Sequence, residues 1–389
     1  MKLPINENLT VHSVHPEGYF IGAAESGKKV HTFYTDIGET GIGDIFKRKG
    51  KYWCRQFISQ DTLSPFRTEQ DCPHFGQCGG CDLRHLTYER QQALKTLIAE
   101  TLLSRSPNGF VVSPRLNRYR NYAAFNVEFG KTGFYKKMSR SLLDIFDCRL
   151  MDELIINELT QIHTIKETFE GEIRIKTCDG GVVRREYPKF VSKEATGETL
   201  VHAEKTIDGI TYFVSPDTFF QSNDHILPDW LSVIERYVQT HHSSVRSIID
   251  LYSGAGTISL RLARSVGHVI GIEQNPLSVM LARKSIAAMG FDTDAVRYET
   301  GDLHSHDIGA LNADVLIVNP PRGGISENVT AFIREKKFNT IVYSSCNIAT
   351  FARDVLALTD YDLTDYTIVD MFPQTFHFET VGLLTRKEG

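Results

Sequence analysis

From about residue 225 onward, stretches that read as strands alternate with stretches that read as helices. A helix-like LPDWLSVIERYVQTH (227–241) leads into the strand VRSIIDLY, the loop SGAGT, a helix, and the strand HVIGIE. A helix around Leu277 to Met289, the strand ADVLIVN, the loop PPRGG, another helix and the strand TIVYSS follow. Strands separated by helices of about 10–15 residues pair in parallel, because each connection must cross over the sheet. The pattern predicts a doubly wound, Rossmann-like α/β domain over residues 216–389. In such a domain ligands bind beyond the carboxyl ends of the strands, so the loops there are the first place to look for chemistry.

The upstream half has another texture. Short alternating runs (LTVHSV, GYFIGAA, VHTFYT, KYWCRQF) punctuated by glycine predict a small β-barrel over residues 1–62. Residues 63–215 are expected to form a mixed central domain. It contains a helix over 88–105, with Leu94, Leu97, Ile98, Leu102 and Leu103 at helical spacing, and then strand-like stretches such as FNVEFG and GEIRIKTC.

The formal net charge is -5, which argues against a uniformly basic nucleic-acid coat. Yet residues 115–140 hold seven Arg or Lys, one acid and six aromatics, and Lys47–Arg55 adds five cations around Trp53. Cations that follow phosphates and rings that stack on bases suit RNA; a solvated cationic sheet face is the plainer reading. No apolar run approaches the length of a membrane span, and MKLPINENLTVHS has no apolar leader segment. A soluble cytoplasmic protein, monomeric by default, is expected, and in that reducing setting disulfides are the less expected use of cysteine.

The loop DLYSGAGTISL puts Gly254 and Gly256 between a strand and a helix, where a backbone without side chains can approach a ligand. The dinucleotide fingerprint wants a third glycine near position 259, where this chain has Ser259. Glu273 ends the next strand, 23 residues beyond Asp250, a spacing suited to a carboxylate that accepts from ribose hydroxyls. Together these favour S-adenosylmethionine over a dinucleotide. Asp302, after the third strand, is placed to reach the adenine or to be a solvated loop acid. The Asn319-Pro320-Pro321-Arg322 loop ends the fourth strand, and loops of this kind also occur in enzymes that methylate exocyclic amines. In IVYSSCNIATFARDV, Cys346 falls where a strand ends and a helix begins, a place expected to lower a thiol's pKa. DMFPQTFHFETVGLL offers His377 and Glu379 at the start of a strand, on one face by the period of two.

The set FFQSN, DLYSGAG, VNPPRGGI, YSSCNIATFARD and DMFPQTFHFE, in this order, resembles the RNA uracil-5-methyltransferase family over essentially the whole chain. Those enzymes make 5-methyluridine in tRNA or rRNA from S-adenosylmethionine. The resemblance implies that Cys346 adds to carbon 6 of uracil and that Glu379 removes the carbon-5 proton. It also implies that Gln221, Tyr252, Glu273 and Asn319 contact the cofactor, and that the partner is RNA with a flipped-out uridine. The catalytic motifs read closest to the rRNA-modifying branch; the T-loop uridine of tRNA is the alternative. The N-terminal barrel looks like the family's RNA-binding TRAM module. Ser253 and Gln374 depart from the family pattern, standing where Cys and His are frequent, whereas His377 keeps its place beside Glu379, with an orienting role. Two rivals remain: an exocyclic-amine methyltransferase, which needs neither Cys346 nor Glu379, and a non-catalytic RNA-binding protein, which needs no cofactor.

CPHFGQCGGC places Cys72, Cys78 and Cys81 in ten positions, one thiol short of a closed metal site. Their spacing does not match the radical S-adenosylmethionine pattern. Cys54, Cys148, Cys178 and Cys346 are left as a possible fourth ligand. The resemblance implies Cys148 and a 4Fe–4S cluster; spacing by itself leaves zinc equally open.

Overall fold

The structure is a computed structural model and describes residues 5–166, 168–189, 201–240 and 245–388. The first four residues of the N-terminal segment and the last residue of the 227–241 stretch lie outside them. The chain divides into two compact units: Met1–Ser106, Tyr135–Ser141 and Phe372–His377 form one, and Pro107–Phe134, Leu142–Met371 and Phe378–Gly389 form the other.

In the first unit β1 (Ile5–His15), β2 (Tyr19–Ala24), β3 (Lys29–Thr32), β4 (Thr40–Arg48) and β5 (Lys51–Thr62) close into a barrel in the order β1-β2-β3-β5-β4. Leu9, Ala24, Val30, Ile45 and Cys54 fill it. The Trp53 ring is not a free platform: it stacks on Phe33 at 5.2 Å between centroids and packs beside His31 and Tyr19. Thr87 caps α1 (Tyr88–Leu103) by accepting from Arg90 N. Leucine spacing located the buried face of this helix only in part, through Leu94 and Ile98. Leu97 is 40% exposed, while Gln91, Leu94, Lys95, Ile98 and Ala99 face inward. The reason is polar. Gln91 Nε2 donates to Leu86 O at 2.9 Å and to Gln374 Oε1 at 3.0 Å, its Oε1 accepts from Gln374 N, and Lys95 Nζ donates to Phe372 O. The segment 372–377, with Gln374 in the left-handed region at φ +71°, is therefore fastened to α1 through its backbone. Gln374 serves as an anchor.

The second unit contains β6 (Gly109–Val111), β7 (Tyr122–Glu128), β8 (Lys131–Tyr135), β9 (Leu142–Asp144), α2 (Glu153–Ile165), β10 (Gly171–Cys178) and β11 (Gly181–Pro188). A sheet in the order β11-β10-β7-β8-β9 packs Ala123, Phe125, Val127, Ile173 and Ile175 against Ile155, Leu159 and Ile162 of α2. Part of the basic, aromatic stretch 115–140 is thus structural. Tyr119 and Phe125 are core, Arg118 is tied to Cys148 O and Asp147, while Phe129 is 81% exposed. The hairpin β12 (Ala203–Ile207) and β13 (Ile210–Val214) precedes the large sheet.

That sheet is built from α3 (Leu227–Gln239), β14 (Ser247–Leu251), α4 (Thr257–Leu262), β15 (His268–Glu273), α5 (Pro276–Met289), β16 (Val296–Thr300), β17 (Val315–Val318), α6 (Glu327–Lys336), β18 (Thr340–Ser345), α7 (Ile348–Ala357), β19 (Tyr361–Val369) and β20 (Glu379–Arg386). Its order is β16-β15-β14-β17-β18-β20-β19-β6. The five strands from β14 to β18 are parallel, as the alternation predicts, but β20 runs antiparallel between β18 and β19. Only nine residues separate β19 from β20, too few for a parallel crossover, so the chain turns back on itself. The sheet is mixed rather than wholly parallel, and β6, from far upstream, adds its edge. Among the described residues no helix is long and apolar enough to cross a membrane.

Candidate active site

The turn after β14 is shaped by backbone that few residues tolerate. Tyr252, Gly254 and Gly256 have φ of +62°, +56° and +86°. A Cβ on Gly256 would collide with the Tyr298 hydroxyl, whereas a Cβ on Gly254 would meet nothing within 4 Å. Gly256 is thus required by packing, and the outer face of Gly254 stays open for a ligand. Ser259 stands at the missing third glycine for a visible reason: its hydroxyl donates to the fully buried Asp250, whose carboxyl burial pushes up to about 7.

Glu273 Oε2 accepts from Gly254 N at 3.0 Å and Oε1 from Asn275 N at 2.8 Å. The carboxylate is held at the turn by two N–H groups and keeps lone pairs for a ligand hydroxyl. The Tyr252 hydroxyl accepts from Ser326 N, which pins it to the loop after Asn319. Asp302 is exposed, with one oxygen accepting from His304 N. Gln221 is buried and its Oε1 has no hydrogen-bond partner among the described residues. Such an acceptor, at the wall of a cleft, is free for a donor from outside the chain.

Gln221, Tyr252, Gly254, Glu273, Asp302, Asn319, Cys346 and Glu379 line one cleft of about 450 Å³. Cys346 lies between the end of β18 and Asn347, the N-cap of α7. The helix terminus was expected to lower its pKa. Burial instead pushes the thiol up to about 11, with the charge of Glu379 adding to it, and Arg322 opposes through its charge and a hydrogen bond. Cys346 precedes the cap, outside the turn whose N–H groups converge. Glu379 is buried, and its carboxyl is pushed up to about 8 by burial, opposed by the Ser344 hydroxyl and the charge of Arg322. Phe219, on the same loop as Gln221, lines the cleft and is 70% exposed. Sequence reasoning named neither Phe219 nor Arg322 as a site residue, although FFQSN and NPPRGG contain them. Ser344 and Trp230 carry no sequence signal, because only the packing brings Ser344 to Glu379 and Trp230 to Ser344.

The other cysteines lie in different settings. Cys72, Cys78 and Cys81 are half-buried in a turn-rich loop of the first unit, where Tyr34 donates to Cys78 O and Phe75 packs on Tyr34 and His85. Cys148 belongs to the second unit. Among the described residues no group of three or more His, Cys, Asp or Glu side chains is placed to hold a metal ion. Cys54 is a barrel-core residue whose thiol burial pushes up to about 11. His377 lies in the first unit, its N–H bonded to Thr375 Oγ1 and its ring against Phe372.

Residues 181–387, more than half of the chain, match the family tRNA (uracil-5-)-methyltransferase. A tRNA (uracil(54)-C(5))-methyltransferase of Pyrococcus furiosus is 27% identical, over 83% of this chain and 87% of its own. A 23S rRNA (uracil(747)-C(5))-methyltransferase of Pyrococcus horikoshii is 27% identical, over 90% and 93%. The crystal structure of a Pyrococcus abyssi tRNA (uracil-54, C5)-methyltransferase in complex with S-adenosyl-L-homocysteine has the same fold, with a TM-score of 0.80 at 22% identity over 97% of this chain and 99% of that one. The chain belongs to the tRNA (uracil-5-)-methyltransferase family, enzymes that methylate carbon 5 of uracil in RNA.

Proposed function

We propose that this enzyme methylates carbon 5 of one unpaired uridine in rRNA, with S-adenosylmethionine as methyl donor, Cys346 as nucleophile and Glu379 as base. The observation that carries the reading is that a single cleft is lined both by the Gly254 turn with Glu273 and Asn319, and by Cys346 and Glu379. Its residues fit the cofactor. Gln221 Oε1 is an unsatisfied buried acceptor, the face of Gly254 is open, and Glu273 retains acceptor capacity at the end of β15. When bound, the cofactor supplies an electrophilic methyl group on a positively charged sulfonium.

Uracil carbon 5 is too weak a nucleophile to react unaided. The Cys346 thiolate forms a bond to carbon 6, and the electrons displaced make carbon 5 the enolate nucleophile that accepts the methyl group. Glu379 then takes the carbon-5 proton, the ring double bond re-forms, and the carbon 6–sulfur bond breaks with its electrons returning to Cys346. Arg322 favours the charged forms of both groups. Phe219, exposed beside them, offers a stacking face to a base lifted out of its helix.

The proposal places the protein in the cytoplasm as a monomer with three functional parts, 1–62, 63–215 and 216–389. It includes a 4Fe–4S cluster on Cys72, Cys78, Cys81 and Cys148. The cluster rests on the sequence resemblance and on the chemistry of four thiols, and no catalytic step depends on it. Iron and acid-labile sulfide in the purified protein would support the cluster; stoichiometric zinc, or no metal, would remove it. For the target, rRNA and tRNA transcripts are incubated separately with labelled cofactor and the methylated uridine is mapped. Label in rRNA supports the proposal, and label in the T-loop of tRNA alone reassigns the substrate.

A further inference from the structure

Ser344 pairs with Val381 across the β18–β20 ladder, so Ser344 and Glu379 share one face of the sheet as diagonal neighbours. Ser344 Oγ lies 3.4 Å from Glu379 Oε2. On the other side of the serine, Trp230 of α3 donates from Nε1 to Ser344 Oγ at 3.1 Å. An indole N–H is a donor only, so the serine oxygen must accept there. Its own proton is then left for the carboxylate. Trp230, Ser344 and Glu379 are respectively 0%, 0% and 3% exposed, so water does not compete for these bonds.

We propose that Ser344, oriented by Trp230, is the positioning residue of the base: it donates to the Glu379 carboxylate, aims it and favours its ionised form. The proposal rests on the assignment of Glu379 as base. A buried carboxyl without a donor is biased toward the neutral acid, which cannot accept the carbon-5 proton. The Ser344 hydroxyl opposes that bias. The other groups acting on Glu379 are Arg322, after β17, which also favours the ionised form, and Cys346, after β18, whose thiolate disfavours it; α3 contributes the neutral indole. In the step itself the proton passes from carbon 5 to a Glu379 oxygen, and the Ser344 proton stays on its own oxygen. At 3.4 Å the bond is long, and it is expected to shorten once Glu379 is ionised.

The test uses the full-length enzyme and substrate RNA carrying tritium at carbon 5 of uracil. Single-turnover tritium release is followed from pH 6 to pH 10, and trapped protein–RNA adduct is measured on denaturing gels. Ser344→Ala should move the acid limb of release upward by about one pH unit, slowing release about tenfold at pH 7 and recovering at pH 10. Adduct should accumulate at neutral pH. Ser344→Thr, which keeps the hydroxyl, should restore the wild-type limb, and Trp230→Phe should shift it less, in the same direction. An unshifted limb in Ser344→Ala, or an equal fractional loss at every pH, overturns the proposal. Glu379→Gln separates the two levels. Wild-type release by that variant removes the base assignment itself, whereas an arrested adduct with no shift in Ser344→Ala removes only the role of Ser344.

Discussion

Of the seven cysteines, the three of one turn-rich loop and the single Cys346 at the cleft stand in contrasting surroundings. Cys72, Cys78 and Cys81 are close in sequence, in a loop of turns where Cys72 O accepts from Phe75 N and Cys78 N donates to His74 O, and none of them is among the residues lining the cleft. Cys346 stands alone in sequence, at the carboxyl end of a parallel strand, facing a cleft it shares with a buried carboxyl and a ligand-ready turn. Density of cysteine in sequence marks a structural candidate; isolation at a catalytic edge marks the chemical one.

The sharpest way to break this contrast is to remove a thiol from each side. Cys346→Ala should lower methyl transfer by roughly 10⁴-fold or more, because the residual enzyme lacks the nucleophile and gains nothing in its place. Cys78→Ser should still form a covalent adduct with RNA, whatever it loses in stability or metal content. Methyl transfer and adduct formation, measured in parallel, separate the two, and comparable losses of adduct in both would erase the distinction. A smaller effect is expected from Gly256→Ala. The substituted residue would hold φ near +86° and push against the Tyr298 hydroxyl, costing on the order of 1–3 kcal/mol of stability. Cofactor affinity, read by calorimetry, should fall about 10- to 100-fold. Unchanged affinity would mean that the turn is not the cofactor's cradle.

The smallest effect is on pH dependence. Glu379 and Asp250 have folded pKa values raised to about 8 and about 7, above those of an unfolded carboxyl near 4. The folded chain therefore holds protons that the unfolded chain releases. Their contribution to stability is complete below about pH 4 and is lost as pH rises through the folded values. Glu379→Gln removes one of these groups, so its melting temperature should gain on the wild type between about pH 5 and pH 9. A constant difference across that range would contradict the buried, raised carboxyl.

The catalytic half was largely legible because its signals are local. Strand–loop–helix periodicity placed β14 to β18, and the motifs placed Gly254, Asn319 and Cys346 in loops and Glu273 and Glu379 at strand ends that the sheet then brings together. What the sequence concealed depends on partners distant in the chain. The antiparallel β20 follows from a short connection, and the addition of β6 at the sheet edge has no local signature. Lys95 and Gln91, which carry no apolar signal, face inward because residues 372–377 are there to receive them. The thiol of Cys346 was expected to be acidified by a helix terminus, but burial outweighs that effect for a group lying before the cap. Ser344 and Trp230 lie 114 residues apart and meet only in the fold.

Catalysis by the proposed route passes through a bond between Cys346 and the target uracil. RNA in which 5-fluorouridine replaces uridine offers a direct measurement, since fluorine cannot leave carbon 5 as a proton would. Incubated with enzyme and cofactor, it should give a stable covalent complex in which mass spectrometry of the digested protein places the modified nucleotide on Cys346. A complex mapped to another residue, or methylation of ordinary uridine RNA by Cys346→Ala, would rule out Cys346 as the nucleophile.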